Sequence, residues 1–263
     1  MKQRRWLALL LGILMAVTCI PVSGMQKVSA AEASGREVLN FDTNWLYSSN
    51  GESVNLDDSG FEQVSVPHAN TILQGHKGND FQKEIDSYRF VSWYRRHFTL
   101  SEEYAGRNIM VEFEGVATVA EVYLNGQLLA AHDGAYTGFT VDISDAVYTD
   151  GKDNVLAVRV DSQKQTQIPP EGGNVDYCLF GGIVRDVHMT ITEPVYVERT
   201  FVTTPGLEDG SCVVNTQVDI SNKLAQDKTY TIETTVKDKE DKTVATASVK
   251  EELAAGKETT VTV

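Results

Sequence analysis

Along most of this chain the apolar residues recur at every second position. Ile109, Val111 and Phe113 fall on one face, while Met110, Glu112 and Glu114 fall on the other. Leu156, Val158 and Val160 alternate with Ala157, Arg159 and Asp161, and Val187, Met189 and Ile191 repeat the pattern. A period of two marks a strand with one buried face, and no sustained helical stripe follows the first thirty or so residues. Asn125-Gly126 separates Val122-Tyr123-Leu124 from Gln127-Leu128-Leu129. A type I′ turn needs positive φ at both central residues, so this dipeptide predicts a tight hairpin. Short strands between Asn-Gly and Asp-Gly turns predict an all-β chain. Residues 36–193 read as a jelly-roll, galactose-binding-like β-sandwich of roughly eight or more strands. Residues 163–174 (QKQTQIPPEGGN) read as a long loop, an element that either lines a binding surface or simply connects.

The texture changes at Glu193-Pro194, since proline discourages a strand interior. Residues 197–203, 212–221, 229–236 and 243–249 are four runs rich in Thr and Val, joined by charged turns. They predict an immunoglobulin-like β-sandwich over 194–263, a fold that needs about seven strands in about 100 residues. Only 70 residues are present, and the sequence stops at Thr260-Val261-Thr262-Val263 within what reads as a strand. Missing strands leave unpaired backbone, so the second sandwich is expected to be truncated here and the natural protein to continue.

The N-terminus changes the compartment. Lys2, Arg4 and Arg5 precede an apolar run over 6–17, and Val28-Ser29-Ala30 offers small residues to a signal peptidase. Residues 1–30 therefore read as a secretory signal peptide, with an apolar run too short to span a membrane. A lipid anchor at Cys19 is the weaker reading, because Ala16-Val17-Thr18 is a poor lead-in. The leader holds four of the 23 basic residues and none of the 37 acidic ones, so the mature chain carries a formal charge of −18. Such an acidic, exported chain is a poor partner for nucleic acid or an anionic membrane. Cys178 and Cys212 remain after cleavage as a disulfide or as two idle thiols, and no CxxC or Cys/His cluster suggests a metal.

Five segments then acquire a shared meaning. "VSVPHANTI", "SWYRRHFTL", "FEGVATVAEVYLNGQLLAAHDGAYTGFTVDIS", "DNVLAVRVDS" and "FGGIVRDVHMTI" occur in this order. Together they resemble the N-terminal sugar-binding-like domain of glycoside hydrolase family 2, especially its β-galactosidases. The resemblance runs from about Asn40 to Val263 and implies a jelly roll, then an immunoglobulin-like domain, then a catalytic TIM barrel. It also implies a site residue. In the family's β-galactosidases an aspartate just upstream of the Gly-Ile-x-Arg-Asp segment reaches the active site, where it contacts galactose and in some members a monovalent cation. Asp176 holds that position and is the expected substrate-binding residue. Cys178 and Leu179 stand where some relatives carry Trp-Arg.

The residues around it read differently. Gly181 and Gly182 let the backbone approach closely where the loop enters a strand. Arg185 and Asp186, as strand neighbours, are expected to face opposite ways and to fix the strand and an interface rather than perform chemistry. His68 is expected to make a structural hydrogen bond, and Trp45 and Trp93 to be core aromatics rather than sugar platforms. Glu171 with Asp176 lacks the rigid support that a catalytic pair requires.

A retaining glycosidase places two carboxylic acids about 5 to 5.5 Å apart around the scissile bond. In the family both lie in the barrel, which needs about 250 residues that this sequence does not supply. The expected function is therefore the non-catalytic N-terminal portion of a secreted, retaining β-galactosidase-like enzyme, inactive alone. No catalytic residue, metal ligand or cofactor is assigned to this chain, and the resemblance leaves room for a monovalent or divalent cation in the intact enzyme. Expected partners are a β-galactoside or related glycan and the barrel in cis, with a homo-oligomer left open. The alternative is a stand-alone secreted carbohydrate-binding module, since fold alone does not decide.

Overall fold

The computed structural model describes residues 26–28 (backbone only), 35–49, 57–70, 89–169, 180–206 and 212–263. In chain order its strands are β1 (Gln26–Val28), β2 (Arg36–Asn40), β3 (Trp45–Ser48), β4 (Glu62–Val64), β5 (Val91–Leu100), β6 (Asn108–Phe113), β7 (Val116–Ala117), β8 (Val119–Leu124) and β9 (Gln127–Asp133). They continue as β10 (Phe139–Asp142), β11 (Asp153–Asp161), β12 (Gly182–Ile183), β13 (Val187–Thr192), β14 (Val195–Thr203), β15 (Asn215–Asn222), β16 (Lys228–Lys237), β17 (Thr243–Leu253) and β18 (Lys257–Thr262). The helical content of the described residues is one 3₁₀ turn, Glu102–Tyr104. The chain is all-β, as the alternation predicts.

A seven-stranded sheet runs β4-β3-β5-β11-β8-β9, with β1 joining β5 in parallel, and a four-stranded sheet runs β10-β6-β13-β2. Their apolar faces meet. Tyr94, Phe98, Val122, Leu124, Leu156, Val158 and Val160 from the first sheet pack with Ile109, Val111, Phe113, Val187, Met189 and Ile191 from the second. Each side chain in this set is essentially without exposure, so the period-two pattern is the two inner faces of a sandwich. The β8–β9 turn has φ of 52° at Asn125 and 84° at Gly126, the paired positive values the dipeptide predicts. One charged residue shares this interior. Arg96 is fully buried, its Nε donates to the Phe41 carbonyl at 3.1 Å, and its guanidinium lies 3.7 Å over the Phe41 ring. Burial pulls its pKa down to about 10, against the opposing effect of Asp42.

Beyond Thr192 the strands change company. β14, β15 and β18 form one sheet and β16 and β17 a second, enclosing Val218, Ile220, Ile232, Leu253 and Val261. Five strands form here, the four runs rich in Thr and Val and the terminal stretch, whose residues 257–262 pair with β15. Polar contacts tie the two groups of strands: Arg36 Nη2 donates to the Val197 carbonyl at 2.6 Å, and Lys223 Nζ lies 3.7 Å from Asp142 Oδ2. Arg107 meets the Thr192 carbonyl at 3.1 Å and Glu193 at 3.2 Å.

Candidate functional site

The end of the first sandwich where β11 stops and β12 begins is the best-built polar site among the described residues. Residues 68–70 run beside 181–183: His68 N donates to the Ile183 carbonyl at 2.7 Å, and Asn70 N to the Gly181 carbonyl at 2.8 Å. On the other flank Gly182 and Ile183 pair with Ala117 and Val116. Gly182 has φ of +123°, and a Cβ there would strike the His68 carbonyl and sit 2.7 Å from the Tyr94 hydroxyl. A Cβ on Gly181 would fall onto the Ser162 side chain. Both positions demand glycine, one for its dihedral and both for the close approach.

The aromatic wall behind this crossing is rigid and un-ionised. The ring centroids of Tyr47 and His68 lie 4.8 Å apart, those of Tyr47 and Tyr94 5.1 Å, and the Tyr94 hydroxyl contacts His68 Nδ1 at 2.9 Å. Burial, helped by Glu62, pushes Tyr47 up to about 12. Burial pushes Tyr94 up further still, with Tyr47 adding to it and a hydrogen bond to Ile183 opposing it. Burial also lowers His68, against the pull of Glu62, so its imidazole is held neutral. These groups brace the backbone; none is poised for proton transfer near neutrality.

Two polar surfaces flank the crossing. Val119 and Asp133 face residues 165–169 across a hollow of about 560 Å³, lined also by Gln165, Thr166 and Gln167. These carboxylate and amide groups suit a polyhydroxylated ligand. Nearby, Glu114 N donates to the Asp186 carbonyl at 3.1 Å, and His188 Nε2 lies 3.2 Å from Glu114 Oε1. One ligand atom each from Glu114, Asp186 and His188 falls within 4.8 Å of the others. These three could hold a cation by their chemistry.

The sequence-predicted residues fare unevenly. Asp176 lies outside the described residues, as do Glu171, Cys178 and Cys19. Trp45 is fully buried in the core, with Nε1 donating to the Phe41 carbonyl at 2.7 Å. Trp93 is buried on the outer face of its sheet against Tyr123, ring centroids 5.8 Å apart. Cys212 is an exposed free thiol. The reading of Arg185 and Asp186 as strand neighbours needs correction: they form the bend between β12 and β13. The glycine-driven approach at 181–182 forces the chain to turn before β13, so Asp186 comes beside Glu114 and His188 while the Arg185 stem packs over Gly115. Sequence reasoning also missed Asn70 and Ser162. Their meeting joins residues 92 apart, and the available signal was a small polar residue at the end of each apolar run.

The family described as glycosyl hydrolase 2 galactose-binding domain-like matches residues 76–177. A β-galactosidase of Thermoanaerobacter pseudethanolicus is 42% identical over 193 residues, 72% of this chain and 25% of that protein. A β-galactosidase of Thermoanaerobacterium thermosulfurigenes is 35% identical over 213 residues, 80% of this chain and 29% of that protein. Among solved structures, a β-glucuronidase from Bacteroides uniformis superposes with a TM-score of 0.74 over 87% of this chain and 27% of that one. At 24% identity this last likeness is one of fold. The chain spans about a quarter of the length of the curated relatives it matches.

Proposed function

The chain belongs to glycoside hydrolase family 2, and from that premise we propose that it is the non-catalytic N-terminal portion of a secreted, retaining β-galactosidase-like enzyme. The observation that carries this reading is the 42% identity to a β-galactosidase over a stretch that is only a quarter of that protein. Bond breaking belongs to a pair of carboxylic acids on a barrel beyond this sequence, one acting as nucleophile and the other as acid, then base. The jelly roll frames one rim of the sugar pocket. Its crossing of 68–70 with 181–183 supplies a rigid base, and Asp176 stands five residues before Gly181 in the sequence. There a carboxylate accepts hydrogen bonds from sugar hydroxyls and orients the ring. A cation beside Asp176 is compatible with this role, and no cofactor is placed on the chain's other residues. The leader-like pattern over 1–30 supports export with the mature protein outside the cell, and cleavage after Ala30 takes β1 out of the mature sheet.

The test uses a chromogenic β-galactoside. This chain alone is expected to give no turnover above background, while the protein carrying a barrel turns over. In the latter, Asp176→Asn lowers kcat/KM by roughly ten- to hundredfold, the worth of one charged hydrogen bond. Turnover by this chain alone would move the chemistry into these residues and overturn the proposal.

A further inference from the structure

The two groups of strands leave a cavity where they meet. It holds about 370 Å³, within the roughly 300 to 1,000 Å³ that small-ligand sites occupy. Arg107, Asn108 and Asp142 wall it from the first group, and Lys223 and Leu224, just after β15, from the second. β13 pairs with β6 from Val187 opposite Phe113, close to the crossing of 68–70 with 181–183, to Thr192 opposite Asn108 at the cavity. The cavity therefore lies at the other end of the four-stranded sheet from that crossing. We infer that it is a second saccharide site, which takes one neutral sugar unit through paired donors and acceptors. The inference goes beyond the function proposed above and draws on neither Asp176 nor a barrel.

Both walls are held in place. Asp142 Oδ1 accepts from Ser144 N at 3.0 Å and from the Ser144 hydroxyl at 2.6 Å, which leaves Oδ2 for Lys223. Opposite, the fully buried Asn222 accepts from Leu224 N at 3.0 Å, and Lys223 N donates to the Pro194 carbonyl at 2.9 Å.

The polar groups, by contrast, are left incomplete. Lys223 Nζ and Asp142 Oδ2 are 3.7 Å apart, too far for a direct hydrogen bond, and both side chains are 47% exposed. A sugar hydroxyl set against both accepts from the ammonium and donates to the carboxylate. Asn108 is buried deeper, at 3% exposure. Its Nδ2 donates to Thr192 Oγ1 at 3.0 Å, and the Thr192 hydroxyl spends its own proton on the Glu193 carbonyl at 3.0 Å. Turned over, the amide would face its oxygen to a hydroxyl with no proton to give, so Oδ1 stays on the side away from Thr192. That acceptor has no partner among the described residues. Arg107 Nη2, a donor, has none either, while Nε and Nη1 of the same guanidinium reach Thr192 and Glu193. An open acceptor and an open donor call for a guest that is both. Arg107 and Lys223 balance Asp142 and Asp145 around the cavity, so neither an anion nor a cation gains from entering. The hydroxyls of a sugar ring donate and accept without charge, and Leu224 offers apolar surface to its C–H groups.

Titrating the intact chain with galactose and following its backbone amides by NMR tests this. Saturable shifts are expected at Asp145, Lys223 and Leu224, in the millimolar range. Lys223→Met should weaken binding about tenfold, the worth of one charged hydrogen bond. Asp142→Asn keeps an acceptor for Ser144 and should weaken binding several-fold. Both positions are half-exposed, so both variants should melt with the parent; if Asp142→Asn melts early, Lys223→Met decides alone. No shift at these amides, shifts confined to the hollow beside Asp133, or an affinity that Lys223→Met leaves unchanged would overturn the inference. So would displacement of galactose by acetate, the mark of an anion site. Failure of a barrel-containing protein to hydrolyse a β-galactoside would instead sink the proposed function and leave this site standing.

Discussion

The strands before Thr192 and those after it are built from the same local geometry but are held in different ways. Among the described residues, twenty-four buried apolar side chains make one continuous core in the first group, and five make the core of the second. The rows of burial say the same. β8 alternates half-buried with buried, whereas the first six residues of β17 are exposed on both faces. Of the large apolar side chains that are more than half exposed, Phe201, Val202, Val213 and Val244 lie in the smaller second group, against Val38 and Leu128 in the first. Thr and Val favour extended backbone wherever they occur, and hairpin pairing then suffices for a strand. A core is a separate achievement, made only where two apolar faces meet. Period-two patterning predicts the first property and says little of the second.

That contrast can be broken by substitution. Phe113→Ala, at a fully buried position between the sheets, should cost about 3–5 kcal/mol in denaturant titration. Gly182→Ala forces a Cβ onto the His68 carbonyl at a φ of +123°, and about 2–3 kcal/mol is expected from the strain, again read by denaturation. Ile232→Ala removes a 9% exposed side chain from the small core and should cost only about 2 kcal/mol, the bottom of the usual range. A loss equal to that of Phe113→Ala would erase the distinction between the groups.

The sharper tests are gentler. Burial holds His68 below its ordinary pKa, so the unfolded chain takes up the proton first as the pH falls. Its contribution is therefore complete above about 6.5, the ordinary imidazole value, and is lost as the pH drops below it. His68→Gln should flatten the acid side of the stability curve of the first group and leave the second untouched, as thermal melts at several pH values would report. Smallest of all, Arg199→Ala breaks an ion pair with Asp219 from a side chain that is 76% exposed, and no resolvable change in melting midpoint is expected.

Legibility followed the same line. The Asn125-Gly126 turn, the faces of residues 109–113 and 156–160, and the all-β class were plain, because each depends on neighbours within a few residues. The resemblance of five ordered segments placed the family. The Glu114–His188 contact was invisible, since it joins the bend after β6 to β13 across 74 residues. Asn70 was passed over for His68, two positions earlier, because an imidazole carries more obvious chemistry than an amide. The structure gives the amide the larger share of the hydrogen bonds. Arg185 and Asp186 were misread as strand because charge alternation looks alike in a strand and in a bend that precedes one.

The long hairpin of β16 and β17 bears on how this chain would behave in a tube. Among the described residues each of its strands is paired along one side only. Residues 243–249, Thr-Val-Ala-Thr-Ala-Ser-Val, contain no charge, no proline and no glycine. Such a run is a template for a second molecule, and Asp241-Lys242 before it and Lys250-Glu251-Glu252 after it are the gatekeepers that oppose stacking. Screening those charges with salt should promote self-association of concentrated samples, visible as rising light scattering, and a lysine at Val244 should suppress it.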